Sequence, residues 1–503
     1  MTRKLLGWLG RRMRPARGRP RWPLGLELLR WTPDEPFTLE DACKGLQIWG
    51  MTGSGKSSGS GKLVALSYLR AGFGGLVLVA KPSETQTWCD YVRAAGREAD
   101  LVVFSPSAPW RYNFLDHELR RPGAGVGLTE NLLQLFVTVA EVAGRGAGGR
   151  GRDDEGYWQR ALQQLLRNAI DLLVAATGRV SVPDLYRLVV SAPTGFDQVA
   201  SAAWQSRSFC WECLQKGDAA PKDGYRGHDF AVAADYFLAE YPGLSDKTRS
   251  VVVSSFTSMA DALNRGVLRE LFGTATNVTP DDCLDGKILV VDLNVKEYDA
   301  VGRYAAAIWK AQFQRAVERR AAGEADPRPC FLFADESQLF TAKQDALFQT
   351  TARSARCCTV YLTQNLSNYL SAYAGEGGEA DARSLLGNLT THVVHALGDS
   401  GTAEFVADLI GRSKQWFSNG SVTHQPYHPF DGLWGGGGGG GGQSSGGFSE
   451  SFEYEVQPAE LGRMATGGAE CGYRVGALVW RGGRPFRSTG KSYVWTSFNQ
   501  RET

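Results

Sequence analysis

Short apolar runs and amphipathic stretches alternate along this chain, and their order predicts its layout. Three strand-like runs come first: "LQIW", "GLVLVA" (Gly75–Ala80) and "DLVVFS" (Asp100–Ser105). Four more follow much later: "KILVVDLN" (Lys287–Asn294), "CFLFADE" (Cys330–Glu336), "CTVYLTQ" (Cys358–Gln364) and "THVVHAL" (Thr391–Leu397). Each is short, rich in β-branched residues and bounded by turn formers, with helical stretches between. Such alternation predicts an α/β core whose mostly parallel sheet is covered on both faces. Between the two blocks the period becomes helical. "YWQRALQQLLRNAIDLLVAATG" sets Trp158, Leu162, Leu165, Leu166, Ala169, Ile170 and Leu173 at helical spacing, and "SVPDLYRLVVSAP" and "VLRELFG" continue it. The expected organisation is a core in two parts, 41–116 and 274–503, with an all-helical insertion at 117–273. The tract Gly435–Gly442 with the following "QSSGG" reads as a flexible Gly-rich loop, 435–447. Beyond it, "GYRVGALVWRGGRPFRSTGKSYVW" alternates like a hairpin turning at "GGRP".

The first chemistry lies just after "LQIW". In "GMTGSGKSSGSGK", Gly50, Gly55, Lys56 and Ser57 meet the rule Gly, four residues, Gly-Lys-Ser that defines a P-loop. The second "GSGK" fails it, because Lys56 stands where the leading Gly is required and Leu63 follows Lys62. A strand-to-helix turn aims backbone N–H groups and the positive helix end at an anion. The cradle is then Gly50, Met51, Thr52, Gly53, Ser54, Gly55, Lys56, Ser57 and Ser58. Lys56 would face the β- and γ-phosphates of ATP, and the Ser57 hydroxyl would bind Mg²⁺. The competing reading is an ordinary Gly/Ser loop.

A P-loop enzyme needs a second, carboxylate-bearing strand, and "CFLFADE" supplies it. Asp335 would hold Mg²⁺ and Glu336 would orient and deprotonate the attacking water. "TVYLTQN" follows, and Gln364 at its end is placed to reach the γ-phosphate or its water. Between them, Arg353 and Arg356 are three residues apart. One is a candidate arginine finger acting on a neighbouring subunit, and a solvated helix face is the alternative for either. No Ser in a GxSxG elbow has a His/Asp partner set, and His392 and His395 read as packed strand residues.

Charge adds one feature. The whole chain carries a net charge of +2, yet the first thirty residues hold Arg3, Lys4, Arg11, Arg12, Arg14, Arg17, Arg19, Arg21 and Arg30 against Glu27 alone. Residues 1–40 are expected to be a basic arm that either binds nucleic acid or an anionic surface or is simply solvated. No run approaches the roughly 18 apolar residues of a membrane helix, so the expected location is cytoplasmic. Nine cysteines in 503 residues form no disulfide framework. Cys210 and Cys213 have CxxC spacing with His228 nearby, which leaves a structural metal or buried thiols open.

With these residues in hand, the chain resembles the TraG/TraD-type conjugative coupling ATPases, in the FtsK/HerA group of RecA-like motors. The resemblance spans roughly residues 45–500 and includes "FSPSAPWRYNFLD" (Phe104–Asp116), "YPGLSDKTRSVVVSSFTSMADAL" and "NLTTHVVHALGDSGTAEFVADLIG" (Asn388–Gly411). It departs where the family often has Asp-Pro-Lys, since this chain has "VAKPSE" (Val79–Glu84). It departs again in lacking the membrane helices with which family members usually begin. The resemblance implies a RecA-like fold, a homo-hexameric ring and ATP-driven DNA movement. It also implies relaxase or secretion-channel partners and a peripheral place at the inner membrane. A soluble HerA-like ATPase in DNA processing, packaging or defence is the alternative.

Overall fold

A computed structural model of the chain describes residues 21–144, 155–221, 223–321, 326–373, 377–423 and 443–501. Its strands in chain order are β1 (Glu27–Thr32), β2 (Glu35–Thr38), β3 (Leu46–Trp49), β4 (Gly74–Leu78), β5 (Leu101–Phe104), β6 (Ile288–Val291), β7 (Cys330–Ala334), β8 (Cys357–Thr363), β9 (Thr391–Val394), β10 (Arg412–Thr423), β11 (Gln443–Tyr454), β12 (Arg474–Arg481) and β13 (Tyr493–Asn499). The seven apolar runs of the sequence are β3 to β9. With the C-terminal pair they make one nine-stranded sheet, ordered β13-β12-β9-β3-β8-β7-β4-β6-β5. Every pair from β9 to β5 is parallel. The predicted hairpin closes one edge, with β12 antiparallel to β9 and β13 antiparallel to β12.

The runs are continuously apolar because both faces of the sheet are covered. Leu76 and Leu78 join Leu289, Val291, Leu332 and Ala334 in one core cluster, while Val77 and Val79 join Ile288, Val290, Phe331 and Phe333 in the other. Helices Lys62–Arg70 and Pro82–Ala94 cover the second face, where Tyr68 and Trp88 meet Phe331 at ring-centroid distances of 6.0 and 5.8 Å. Helix Ala300–Ala321 covers the first, with Trp309 stacked on Tyr112 at 4.4 Å.

Between β5 and β6 the chain is helical, from Phe114–Arg120 to Pro280–Leu284. The boundaries expected for the insertion, 117–273, fall inside this run. Its ends are tied together: the Tyr112 N–H donates to the Leu271 carbonyl at 2.8 Å and the Asn113 N–H to the Ala275 carbonyl at 3.0 Å. Leu162, Leu165, Leu166, Ala169, Ile170 and Leu173 of helix Glu155–Thr177 are buried in a cluster continuous with the sheet's first face. The Trp158 side chain lies outside the described residues. Cys210 and Cys213 sit one turn apart on helix Phe209–Ala219, buried in that cluster. Burial pushes both thiols up, Cys213 to about 12, which opposes the thiolate that a metal needs. His228 is exposed, and no group of three His, Cys, Asp or Glu among the described residues is arranged to hold a metal ion.

Two expectations change. Residues 27–38, assigned to the basic arm, form the β1–β2 hairpin, which buries Leu29, Trp31 and Phe37 in the second cluster. Counting cations hid this alternation; Arg30 merely pairs with Glu27 on the exposed side. The cations from Arg3 to Arg19 lie outside the described residues. In the expected Gly-rich loop, 435–442 also lie outside them, but Gln443–Gly447 belong to β11 and pair with residues 423–419 of β10. The ladder begun by the preceding pairs carries through the glycines despite their low strand propensity. Among the described residues, no helix is long and apolar enough to cross a membrane.

Candidate active site

The phosphate loop leaves β3 at the C-terminal ends of the parallel strands and is stitched to both neighbours. The Gly50 N–H donates to the Thr363 carbonyl of β8 at 3.2 Å, and the Met51 N–H to the Ala396 carbonyl beyond β9 at 2.9 Å. Gly53 and Gly55 hold φ of 78° and 81°, a region costly for any residue with a Cβ. A Cβ on Gly50 would stand 2.3 Å from Ser54 Oγ. The next turn, Ser57–Gly61, is a wide π-helical one that runs into helix Lys62–Arg70. The second "GSGK" therefore lies inside these helical turns. Gly61 is there for space, since a Cβ would come 3.0 Å from the Lys56 carbonyl.

His395 supports this turn from below. Its Nε2 is 2.7 Å from Ser60 Oγ and its Nδ1 2.9 Å from the Gly476 carbonyl. A carbonyl only accepts, so Nδ1 carries the proton and Nε2 accepts from Ser60. Burial, with Lys56's charge beside it, holds His395 at about 4 and hence neutral. His392 accepts from Trp49 Nε1 at 3.1 Å. Both histidines pack, as expected.

The carboxylates arrive on β7. Ser57 Oγ donates to Asp335 Oδ2 at 2.5 Å. Glu336 takes a left-handed φ of 48° and turns back over the loop, buried to 5% exposure. Four side chains hold its carboxylate. Gln364 Nε2 donates to Oε1 at 3.0 Å and Gln338 Nε2 to Oε2 at 3.0 Å. Lys81 Nζ is 3.3 Å and Lys56 Nζ 3.9 Å from Oε1. Burial pushes Glu336 up, but the two amides and two lysines outweigh it and leave it below the usual carboxylate range. Burial likewise pulls Lys81 down, yet Glu336 and Asp335 raise it overall.

Lys81 and Gln338 escaped the sequence reading. Lys81 follows β4, and only the strand order, which sets β4 beside β7, brings it to Glu336. Gln338 is two residues past Glu336, and Thr363 Oγ1 fixes its amide at 2.8 Å. Glu84, in the same "VAKPSE" stretch, accepts the Ala80 N–H at 2.7 Å. Burial and then Asp335's charge push it up to about 7.

Lys56, Ser57, Asp335, Glu336 and Gln364 are thus together, while Arg353 and Arg356 are not with them. Both precede β8, at the opposite end of the strand from Gln364. Arg356 has a φ of 52° and donates to the Trp22 carbonyl at 2.9 Å and to Asp326 at 2.5 Å. Arg353 is more exposed and pairs with Glu40 at 3.0 Å.

The donors suit a nucleotide and a hard cation. Ser54 Oγ is buried in the loop without a hydrogen-bond partner. The adjacent Ser57 hydroxyl and Asp335 carboxylate are oxygen ligands of the kind Mg²⁺ takes together with phosphates.

Residues 329–464 match the family described as the TraM recognition site of TraD and TraG. The fold is similar to the unbound bacterial conjugative coupling protein TrwBdeltaN70, with a TM-score of 0.60 at 15% identity over 95% of this chain and 89% of that one. It is also similar to plasmid coupling protein TrwB in complex with ADP and Mg²⁺, with a TM-score of 0.57 at 16% identity over 94% and 90%. At such identities the likeness concerns the fold, and that fold is the RecA-like P-loop core expected from the sequence. A comparison with curated protein sequences returned no match.

Proposed function

We propose that this chain, of TraG/TraD type in its fold and in its C-terminal core, hydrolyses ATP and spends the energy moving DNA. The observation that carries the reading is the convergence of Lys56, Ser57, Asp335, Glu336 and Gln364 on neighbouring strand ends. In this reading Gly50–Ser58 cradle the phosphates with backbone N–H groups, and Lys56 faces the β- and γ-phosphates. Ser57 and Asp335 would hold Mg²⁺, which neutralises phosphate charge when bound. The γ-phosphate competes with Glu336 for Lys56 and Lys81, which leaves the carboxylate free to act as a base. Water oxygen then attacks the γ-phosphorus, its proton passes to Glu336, and ADP departs as the bond to its oxygen breaks. Gln364 orients the water.

TrwB has been solved with ADP and Mg²⁺ and with a non-hydrolysable ATP analogue, which supports the cofactor assignment. The family description names TraM recognition, which supports a protein partner of the DNA-processing complex. Within the proposal the chain is divided as its sequence suggests, with the helical insertion at 117–273. It works as a homo-hexamer on the cytoplasmic side, peripheral to the inner membrane. It grips phosphates rather than bases, because a motor must release and regrip any sequence. ATPase rate measured with no DNA, single strands and duplex tests this. DNA stimulation that declines steeply with salt is expected. A protein that binds no nucleotide, or hydrolyses it with no response to DNA, would contradict the proposal.

A further inference from the structure

The β10–β11 hairpin is amphipathic in the reverse of the usual sense. Residues directly opposite in an antiparallel pair share a face. On one face the rungs are Arg412 with Tyr454, Lys414 with Phe452, Trp416 with Glu450, and Phe448 opposite position 418. This is the face turned to solvent: Trp416 is 70% exposed, Phe448 80% and Phe452 61%. The other face carries Ser413, Gln415, Ser451 and Glu453, which are only partly exposed, and beyond them the exposed pair Phe417 and Ser449. Over the rungs nearest the core, the strand pair shows water its rings and half-buries its polar side chains, the wrong face outside unless that face meets something.

The composition of the rungs says what. Each of the four successive rungs holds one aromatic ring, and none pairs two apolar residues. Rungs on one face repeat every ~6.8 Å, so the face offers one π-surface per step. Two rungs add cations. Arg412 lies over the Tyr454 ring at 4.2 Å and Lys414 Nζ over Phe452 at 5.7 Å. Lys414 is shared with Glu450 at 2.8 Å and Arg412 with Asp408 at 3.6 Å, so a phosphate would compete for both. A buried contact between copies of the chain would favour a continuous apolar centre depleted of charge. A regular ladder of rings with cations beside them suits a strand of unpaired bases, each stacking on one ring while the backbone passes the cations.

We propose that this face binds single-stranded nucleic acid by stacking. The inference rests on the DNA-motor reading and assigns it a contact surface. The test uses the full chain and a labelled single-stranded thymidine oligonucleotide, read by anisotropy, with particle mass measured alongside. Trp416→Ala and Phe448→Ala should each weaken binding about tenfold, Trp416→Phe should restore most of it, and Phe417→Ala on the opposite face should change little. Wild-type chain that binds the oligonucleotide while both alanine variants bind it equally well overturns this surface and leaves the motor reading standing. Equal binding with a loss of particle mass would make the face a contact between copies, which also overturns the inference. Wild-type chain that binds neither single strands nor duplex defeats the motor reading itself, and this inference with it.

Discussion

The two ends of β8 carry the same kinds of side chain to opposite effect. At its C-terminal end, Gln364 meets Glu336, and Lys56 and Lys81 converge on the same carboxylate. At its N-terminal end, Arg353 and Arg356 each find an acid of the same chain, Glu40 and Asp326. The difference is in what remains unsatisfied. Around Glu336 two lysines share one buried carboxylate, so an incoming phosphate has cations to take. Arg356 is satisfied by a carbonyl and a carboxylate and locks the start of β8 against Trp22. On the proposed reading, cations gathered beside the loop serve the nucleotide, and those paired at the far end serve the fold.

The sharpest way to break this comparison is at the loop end. Lys56→Ala should abolish nucleotide binding, since it removes the charge that the proposed function sets against the phosphates. Glu336→Gln should bind ATP and hydrolyse it roughly 10²–10⁴-fold more slowly, the range of a lost general base. Calorimetric ATP binding paired with phosphate release separates the two, and equal loss of binding in both would merge their roles. Lys81→Ala tests the cation that the motif misses. In the proposed mechanism the γ-phosphate then loses a cation, so kcat should fall about tenfold, and Lys81→Arg should recover part of it. A rise in KM with kcat intact would instead assign Lys81 to nucleotide binding alone.

At the matched end the expected losses are in stability. Arg356→Ala should cost about 1.5–3 kcal/mol by denaturant unfolding, as a half-buried charged donor is removed. Arg353→Ala, in an exposed pair, should cost about 0–1 kcal/mol. Arg353 is also the arginine freer to cross to a neighbouring subunit. If it does, mixing Arg353→Ala with Lys56→Ala chains should restore some ATPase activity, because an intact arginine then meets an intact loop at some interfaces. No restoration, with turnover per chain constant on dilution, would leave Arg353 as a surface ion pair.

How much of this was legible follows from what kind of signal each part leaves. The strands β3 to β9 were readable because a doubly covered sheet leaves unbroken apolar runs. Asp335, Glu336 and Gln364 were readable because they stand at the end of such a run, and Lys56 and Ser57 because the P-loop spacing after β3 marks them. Lys81 was not, because its partner lies 255 positions away and strand order leaves no local mark. The β1–β2 hairpin was masked by neighbouring arginines, and β11 by glycines whose pairing comes from β10 rather than from propensity. Arg353 and Arg356 were equally legible as finger or face, since spacing says nothing about which end of a strand a helix returns to.

The last comparison is between two histidines at β9, His392 within it and His395 just past its end. His392 and His395 are both held at about 4, against an ordinary value of 6.5, by burial. Below about 6.5 the unfolded chain takes up protons that the folded chain refuses until about 4, so the unfolded state binds more protons in that window. Stability is therefore full above about 6.5 and declines as pH falls toward 4, by roughly 3 kcal/mol for each histidine over the window. Only His395 feels Lys56, whose charge adds to its depression. Unfolding measured at pH 7 and pH 5 should show a steeper loss in the wild type than in His395→Asn, which removes one of the two titrating groups. Lys56→Ala should ease the loss slightly by letting His395 protonate sooner, and it should do nothing further once His395→Asn is present. An equal Lys56→Ala effect with and without His395 would uncouple the histidine from the charge of Lys56.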